Sequence, residues 1–366
     1  MRAEILATAA LGLLACSSDG VEFSTESVAV GAFPTKVVVR DFNRDGVPDL
    51  AVSTGTGARL YLIMGHGDGT FEAPVPVVPA WDDQSNRSCE TTVSGDFDGD
   101  GWPDLAAACG SEVIVLRNLG DGSFEPVEDM AVWARDLGAA DFNGDQRDEL
   151  IIVPENGDSA MIRSVLGVVP RIAVDLPTYG ATTAAAADFD QDGSMDIVVS
   201  SGDSFNVTYS VIDAEKRHTR GFACAPEPNQ FAIGDFNRDG APDIALTSFF
   251  SIEPVYVFIN DGSGSLVAHG TSPSSGLTIL GEPHPGDIGM GDLNGDGTPD
   301  LVFSSDESRL RLLTGLGDGT FAVDRVFAPD VGWIHIAVAD LNGDGQDDIV
   351  TQSGSLPATL TILLSR

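Results

Sequence analysis

Basic residues are scarce in this chain: Lys and Arg number 19 against 56 Asp and Glu, which sets the formal net charge of its 366 residues at −37. A protein so short of cations offers no basic patch for phosphates, which excludes nucleic acid as a default partner. Histidine is rarer still, and His66, His218, His269, His284 and His335 show neither HxH nor HExxH spacing; each reads as a surface residue. No Gly-x-Ser-x-Gly elbow occurs, and no Gly-Lys-Ser/Thr follows a glycine-rich turn. Zinc-hydrolase, nucleophile-elbow and P-loop chemistry therefore lack their motifs. After the first fifteen residues there is no long apolar stretch with a 3.6-residue period, so helix is expected to be scarce. The 42 glycines and 20 prolines point instead to many turns between short strands.

What the chain has in abundance is one acidic loop. The form Asp-Phe/Leu-Asn/Asp-x-Asp-x-x-x-Asp/Glu-Leu/Ile occurs seven times, starting at Asp41, Asp96, Asp141, Asp188, Asp235, Asp292 and Asp340. Successive starts lie 55, 45, 47, 47, 57 and 48 residues apart, a period that marks a stack or ring of supersecondary units. Within each loop the first, third, fifth and ninth positions offer side-chain oxygens, the seventh can offer a carbonyl, and glycine at the sixth permits a sharp turn. That donor set suits Ca²⁺, which takes six to eight oxygens.

The expected ligands follow loop by loop. Loops two and four each carry four carboxylates: Asp96, Asp98, Asp100 and Asp104, then Asp188, Asp190, Asp192 and Asp196. Four loops besides loop three place Asn third: Asp41, Asn43, Asp45 and Asp49; Asp235, Asn237, Asp239 and Asp243; Asp292, Asn294, Asp296 and Asp300; Asp340, Asn342, Asp344 and Asp348. These are expected to carry less charge at the ion and to bind more weakly. Loop three (Asp141, Asn143, Asp145, Glu149) departs most. Gln146 replaces the glycine, Glu149 replaces the last aspartate and Asp148 comes one place early, so its site is expected to be weak or empty. A single loop of this kind would read equally well as a turn; seven in register favour up to seven calcium ions. Closed cages of this type hold structural ions, so no catalytic residue is assigned.

Each loop sits in a recurring frame. In the first repeat Lys36–Arg40 leads in, 50–54 leads out, 59–64 is a third strand, a Gly67-Asp68-Gly69-Thr70-Phe71 turn follows, and Pro74–Val78 is a fourth strand whose prolines suit an outer edge. The turn recurs at 120–124 and 317–321, more loosely at 260–263, and is missing from repeats three and four. With the strands lettered A to D, the acidic loop joins A to B and the Gly-Asp-Gly turn joins C to D. Four antiparallel strands per unit and seven units predict an all-β fold, a seven-bladed β-propeller. These repeats resemble the FG-GAP/VCBS family over about residues 20–366, a family of calcium-binding propellers distantly similar to the integrin α-chain head. The Phe-Gly and Gly-Ala-Pro words of integrin repeats are not evident, so integrin-like ligand binding is not carried over.

The chain ends in 359–364, which aligns with strand C of the last repeat. The segment Asp19-Gly20-Val21-Glu22-Phe23 echoes a C–D turn, so Ser27–Val30 is expected to supply the missing strand D and to close the ring. Ahead of it, Arg2 and the apolar run 5–15 form a signal too short to span a bilayer. Leu13-Leu14-Ala15-Cys16 resembles the lipobox of bacterial lipoproteins, and that resemblance implies cleavage, acylation of Cys16 and, with Ser17 following, the outer membrane. The expected domains are a signal peptide (1–15), a tether (16–20) and one propeller (21–366). Of the other cysteines, Cys89 and Cys109 lie nearly opposite on an A–B hairpin and are expected to bridge, leaving Cys224 as a small buried hydrophobe.

The leading functional reading is a calcium-stabilised, non-catalytic binding or adhesion module at the bacterial envelope, with a glycan or protein ligand. A polysaccharide lyase or hydrolase, or a scaffold subunit of an envelope complex, are the alternatives. A–B loops and C–D turns share one face, expected to look toward the membrane. The D–A connections share the other, where Trp81, Trp133, Tyr179 and Trp333 are the candidate ligand contacts.

Overall fold

The computed structural model describes residues 12–13, 21–55, 60–77, 88–156, 160–165, 173–175, 180–201, 228–248, 255–271, 286–305, 309–327, 335–352 and 358–366, in which the regular elements are all β-strands. The sequence expectations for Cys16, Trp81, Tyr179, Cys224 and Trp333 lie outside the described residues, as do most of the signal and tether. Among the described residues no helix is long and apolar enough to cross a membrane.

Each acidic loop joins two antiparallel strands, as in Pro34–Arg40 with Asp49–Thr54 and Cys89–Gly95 with Asp104–Cys109. The fold is an all-β propeller of antiparallel blades. Seven four-stranded blades are expected from the sequence; the described residues form six sheets of four or more strands. The fourth repeat contributes one hairpin, Ala181–Ala187 with Asp196–Ser201, because the segment expected to supply its C strand falls in 202–227, outside the described residues. Repeat three lacks the Gly-Asp-Gly turn yet keeps four strands, its outer pair shortened to Met161–Arg163 and Ala173–Asp175. The expected D strand of repeat one shrinks to Val75–Pro76, since proline gives the ladder no donor.

Strand B is the most buried element of its blade. Every residue of Asp49–Thr54, Asp104–Cys109, Glu149–Pro154 and Asp348–Gln352 is buried. Such a strand has A and C on its flanks and another blade on each face, which is why it reads Leu-Ala-Val or Leu-Ala-Ala-Ala rather than alternating. Among the described residues, seven apolar clusters each join two consecutive repeats. One unites Phe42 and Leu62 of repeat one with Leu105 and Leu116 of repeat two. Another unites Val37, Leu50 and Val52 with Leu341, Val350 and Ile362 of repeat seven. The second residue of every loop (Phe42, Phe97, Phe142, Phe189, Phe236, Leu293, Leu341) plugs into one of these cores and is buried.

The chain's two ends share a sheet. Phe23–Ala29 pairs along its length with Thr359–Ser365, Phe23 opposite Ser365 and Ala29 opposite Thr359. The pairing segment is thus longer than Ser27–Val30. Gly12–Leu13 adds two pairs on its outer side, at Thr25 and Ser24. Cys89 and Cys109 face each other across strands A and B of repeat two, with Cα atoms 3.9 Å apart, and are joined by a disulfide.

Candidate metal loops and an aromatic cleft

The acidic loops are folded by their own carboxylates. In loop two Asp96 accepts from the amides of Gly99 (2.8 Å) and Gly101 (2.9 Å), Asp98 from Asp100 N (3.0 Å), and Asp100 from Trp102 N (2.8 Å). Loop five repeats the scheme, with Asp235 accepting from Asp239 N (3.0 Å) and Gly240 N (2.8 Å). These are Asx turns, and they give each loop its common backbone path.

The ninth residue is a rivet. Asp243 is fully buried, and its two oxygens take the amides of Phe236 (2.8 Å) and Asn260 (2.7 Å), tying the loop to the end of strand C. Asp49, Asp104, Asp300 and Asp348 do the same toward Gly65, Asn118, Gly315 and Ser365. Asp243→Ala orphans two buried donors, at about 1–3 kcal/mol each. Urea unfolding is expected to show a loss of about 2–5 kcal/mol, against well under 1 kcal/mol for alanine at exposed Asp261 of the C–D turn.

Each carboxylate oxygen of Asp96 and Asp104 accepts one amide and keeps a further lone pair, which is what could meet a cation. In loops two and four, single carboxylate oxygens of Asp96, Asp98 and Asp104, and of Asp188, Asp190 and Asp196, lie within 4.8 Å of one another. Hard oxygen donors gathered so closely fit a divalent ion such as calcium. In three Asn loops the amide occupies the equivalent place: Asn43, Asn237 and Asn294 donate to Asp45 (2.9 Å), Asp239 (2.7 Å) and Asp296 (2.9 Å). The structure therefore brings together three of the four expected ligands in loops two and four; Asp100 and Asp192 turn to the backbone of Trp102 and Ser194.

Loop three keeps the common backbone path despite its substitutions. Gln146 adopts φ +67° in place of glycine, and its amide still reaches Asp141 at 2.8 Å. The longer Glu149 is absorbed by Asn143 (2.9 Å) and Ser164 (3.2 Å). Asp148, one place early, reaches outside its loop, and its carboxylate accepts from Asp96 N at 2.8 Å in the preceding repeat.

Burial, reinforced by like charges in the same loop, drives the rivets toward the neutral form. Asp104 and Asp300 are pushed up to about 7, and Asp196, Asp243 and Asp348 to about 6. Asp98 is raised by burial and then by Asp100 and Asp96. At the opposite end of the inner strands, His335 Nδ1 lies 3.2 Å from Asp287 Oδ2 and 3.2 Å from Lys36 Nζ, so repeats six, seven and one meet in one polar cluster. Burial alone would raise Asp287, but His335 and Lys36 outweigh it and hold that carboxyl below the usual range.

The far end of repeat three carries the described member of the aromatic set. Trp133 is 57% exposed and edges a cleft of about 520 Å³ with Ala131, Val132, Pro154, Glu155 and Asn156. Glu155 N donates to Trp133 O at 2.9 Å, which fixes the rim. The cleft lies past the ends of strands A and B that are remote from the acidic loop.

Sequence reasoning missed two features: the rivet role of the ninth position, and the left-handed backbone of the fourth. The signal for the second was present, since the fourth residue is glycine in four of the seven loops: Gly99, Gly144, Gly295 and Gly343.

A family model described as FG-GAP-like repeat matches residues 96–152, 141–199, 235–302 and 292–351. The chain belongs to the FG-GAP-like repeat family. Among solved structures, the crystal structure of BBS1N in complex with ARL6DN is similar at a TM-score of 0.62 and 12% identity, covering 92% of this chain and 94% of that one. An Agrocybe aegerita lectin that recognises non-reducing terminal N-acetylglucosamine is similar at a TM-score of 0.59 and 18% identity, covering 89% and 84%. At these identities the likeness is one of fold. No curated protein matches the chain.

Proposed function

We propose that this chain is a non-catalytic ligand-binding module: a seven-bladed ring closed by Phe23–Ala29, stabilised by calcium in its acidic loops, and tethered through Cys16 to the bacterial outer membrane. The observation that carries the binding role is the exposed Trp133 cleft. A large aromatic at 57% exposure beside a carboxylate and an amide is the chemistry of a sugar platform, the ring taking the apolar face of a pyranose and Glu155 and Asn156 its hydroxyls. The fold neighbours include both a propeller in complex with a protein and a lectin, so the choice of a glycan rests on the chemistry of the cleft.

Ring closure draws support from the first strand of each repeat touching that of the next, with Ala337–Ala339 against Pro34–Arg40. Calcium draws support from the carboxylate sets of loops two and four, where Asp96, Asp98, Asp104, Asp188, Asp190 and Asp196 would hold it most tightly; the loops with Asn third, five and six among them, would hold it more weakly through the same positions. A bound divalent ion supplies charge neutralisation that those carboxylates lack by themselves. Their role is then structural, and the loops face the membrane while the aromatic cleft faces outward.

The test is a glycan array probed with the purified, calcium-loaded protein, followed by titration of an N-acetylglucosamine-terminated oligosaccharide. Trp133→Ala is expected to weaken binding at least tenfold with an unchanged melting temperature. Full affinity in that variant, or loss only on changing an acidic loop, places the ligand elsewhere.

A further inference from the structure

The fourth residue of every acidic loop has a left-handed backbone, including the non-glycines Arg44 (φ +56°), Gln191 (φ +54°) and Arg238 (φ +60°). A side chain in that conformation is strained, and strain of this kind persists where something depends on it. In all three cases the side chain reaches the next loop along the chain. The Arg44 guanidinium lies over Trp102 of loop two, 4.3 Å from the ring centroid. Gln191 donates to Gly240 O of loop five at 2.7 Å. Arg238 donates to Asp296 O of loop six at 3.1 Å and also contacts Thr298.

Where the fourth residue is glycine, the arm comes from the opposite direction. A Cβ on Gly99 would meet Arg147 of loop three at 2.9 Å, and one on Gly295 would meet Gln346 of loop seven at 3.1 Å. At those same two junctions a carboxylate reaches back as well. Asp148 and Asp347 each exchange two 2.8 Å backbone-linked bonds with the first residue of the preceding loop, Asp96 and Asp292. Around Gly144 and Gly343, by contrast, no atom lies within 4 Å of an added Cβ among the described residues.

We infer that the loops form two clasped sets, one to three and four to seven, and that cation occupancy passes between neighbours within a set but not across the two seams. The inference rests on the proposed calcium binding. Its physical basis is that each arm ends on the backbone or ring of a residue in the adjoining loop. Ordering one loop around an ion therefore fixes its neighbour's backbone in advance, and the second ion meets a lower ordering cost. Such coupling is reciprocal.

Site-resolved calcium titration of the full chain tests this, read by the amide signals of Gly46, Gly101, Gly193, Gly240, Gly297 and Gly345, one in each loop but the third. Asp292→Asn weakens loop six. The expected result is a calcium midpoint at Gly240 raised about threefold to tenfold, with Gly46 and Gly101 unmoved. In the Arg238→Gly background, which removes the arm and relieves the strain, Gly240 is expected to ignore the loop-six change. A loop-five midpoint untouched by Asp292→Asn, or equal shifts in loops one and two, overturns the coupling while leaving calcium binding intact. If no amide responds to millimolar calcium, the calcium reading fails and the coupling with it.

Discussion

Deleting Val21 to Val30 is expected to abolish the native fold rather than to lower its stability by degrees. The deletion removes seven paired residues from Thr359–Ser365 and the buried Val21 and Val30. Two buried valines are worth about 1.5–3 kcal/mol each, and roughly seven ladder hydrogen bonds add about 0.5–1.5 kcal/mol apiece. That sum approaches or exceeds the 5–15 kcal/mol that typically separates folded from unfolded domains. The strand left behind would also present a bare edge rich in Leu and Thr, open to pairing with another copy. Size-exclusion chromatography and circular dichroism should find aggregate or an unfolded chain. A monomeric truncation that melts with the parent would show that this pairing does not hold the ends.

In calcium-free buffer the protein is expected to melt several degrees lower at pH 8 than at pH 5.5. Asp104 and Asp300 have folded pKa values of about 7, and Asp196, Asp243 and Asp348 about 6, all above the ordinary carboxylate value. A raised folded pKa means that the native state keeps a proton the unfolded chain has released. The stabilisation is full below the ordinary value of 3.8 and is lost as pH climbs through about 6 and then about 7. A shift from 3.8 to about 7 corresponds to roughly 4 kcal/mol for Asp104 alone. The turn aspartates Asp68, Asp121, Asp261 and Asp318 are shifted the other way and titrate below this window. Calcium at pH 8 should restore the melting temperature and flatten its dependence on pH, and should do less at pH 5.5, where protons compete for the same oxygens. Magnesium, which demands a tighter octahedron, should restore less. Melting curves indifferent to pH in chelator, or to calcium at pH 8, would remove both the rivet chemistry and the metal from the account.

The fold was readable because its signal is repeated. Seven copies of one loop gave the period, and strand A and strand B of repeat one fell within two residues of their expected places, at Pro34–Arg40 and Asp49–Thr54. Outer strands were harder: Val75–Pro76 is short because prolines cap its pairing, and no loop motif marks where a D strand stops. The site was readable in part. Its acidic residues are where the motif places them, but the motif could not say that the ninth carboxylate spends both oxygens on amides. That depends on how strand C returns to the loop, at Asn118 or Asn260, many positions away. Nor could it separate Asp98, which faces other carboxylates, from Asn43, which donates to one. The difference is one atom in the side chain and decides whether the third position adds a negative charge or donates a hydrogen bond within the loop.

The sheet shared by both ends of the chain also sets a clock. Phe23 cannot meet Ser365 until 342 further residues have been made, and at ordinary rates of translation of about 5–20 residues per second that is roughly 20 to 70 s. Throughout that interval Phe23–Ala29 lacks its long partner, Thr359–Ser365, while the intermediate blades can already pack on one another. The ribosome therefore releases a chain whose middle is ahead of its ends, and the last step is a single long-range closure. Any factor that shields an unpaired strand has its longest opportunity at residues 23–29, and a chain stopped short of Thr359 leaves that strand permanently exposed as a mark of incompleteness.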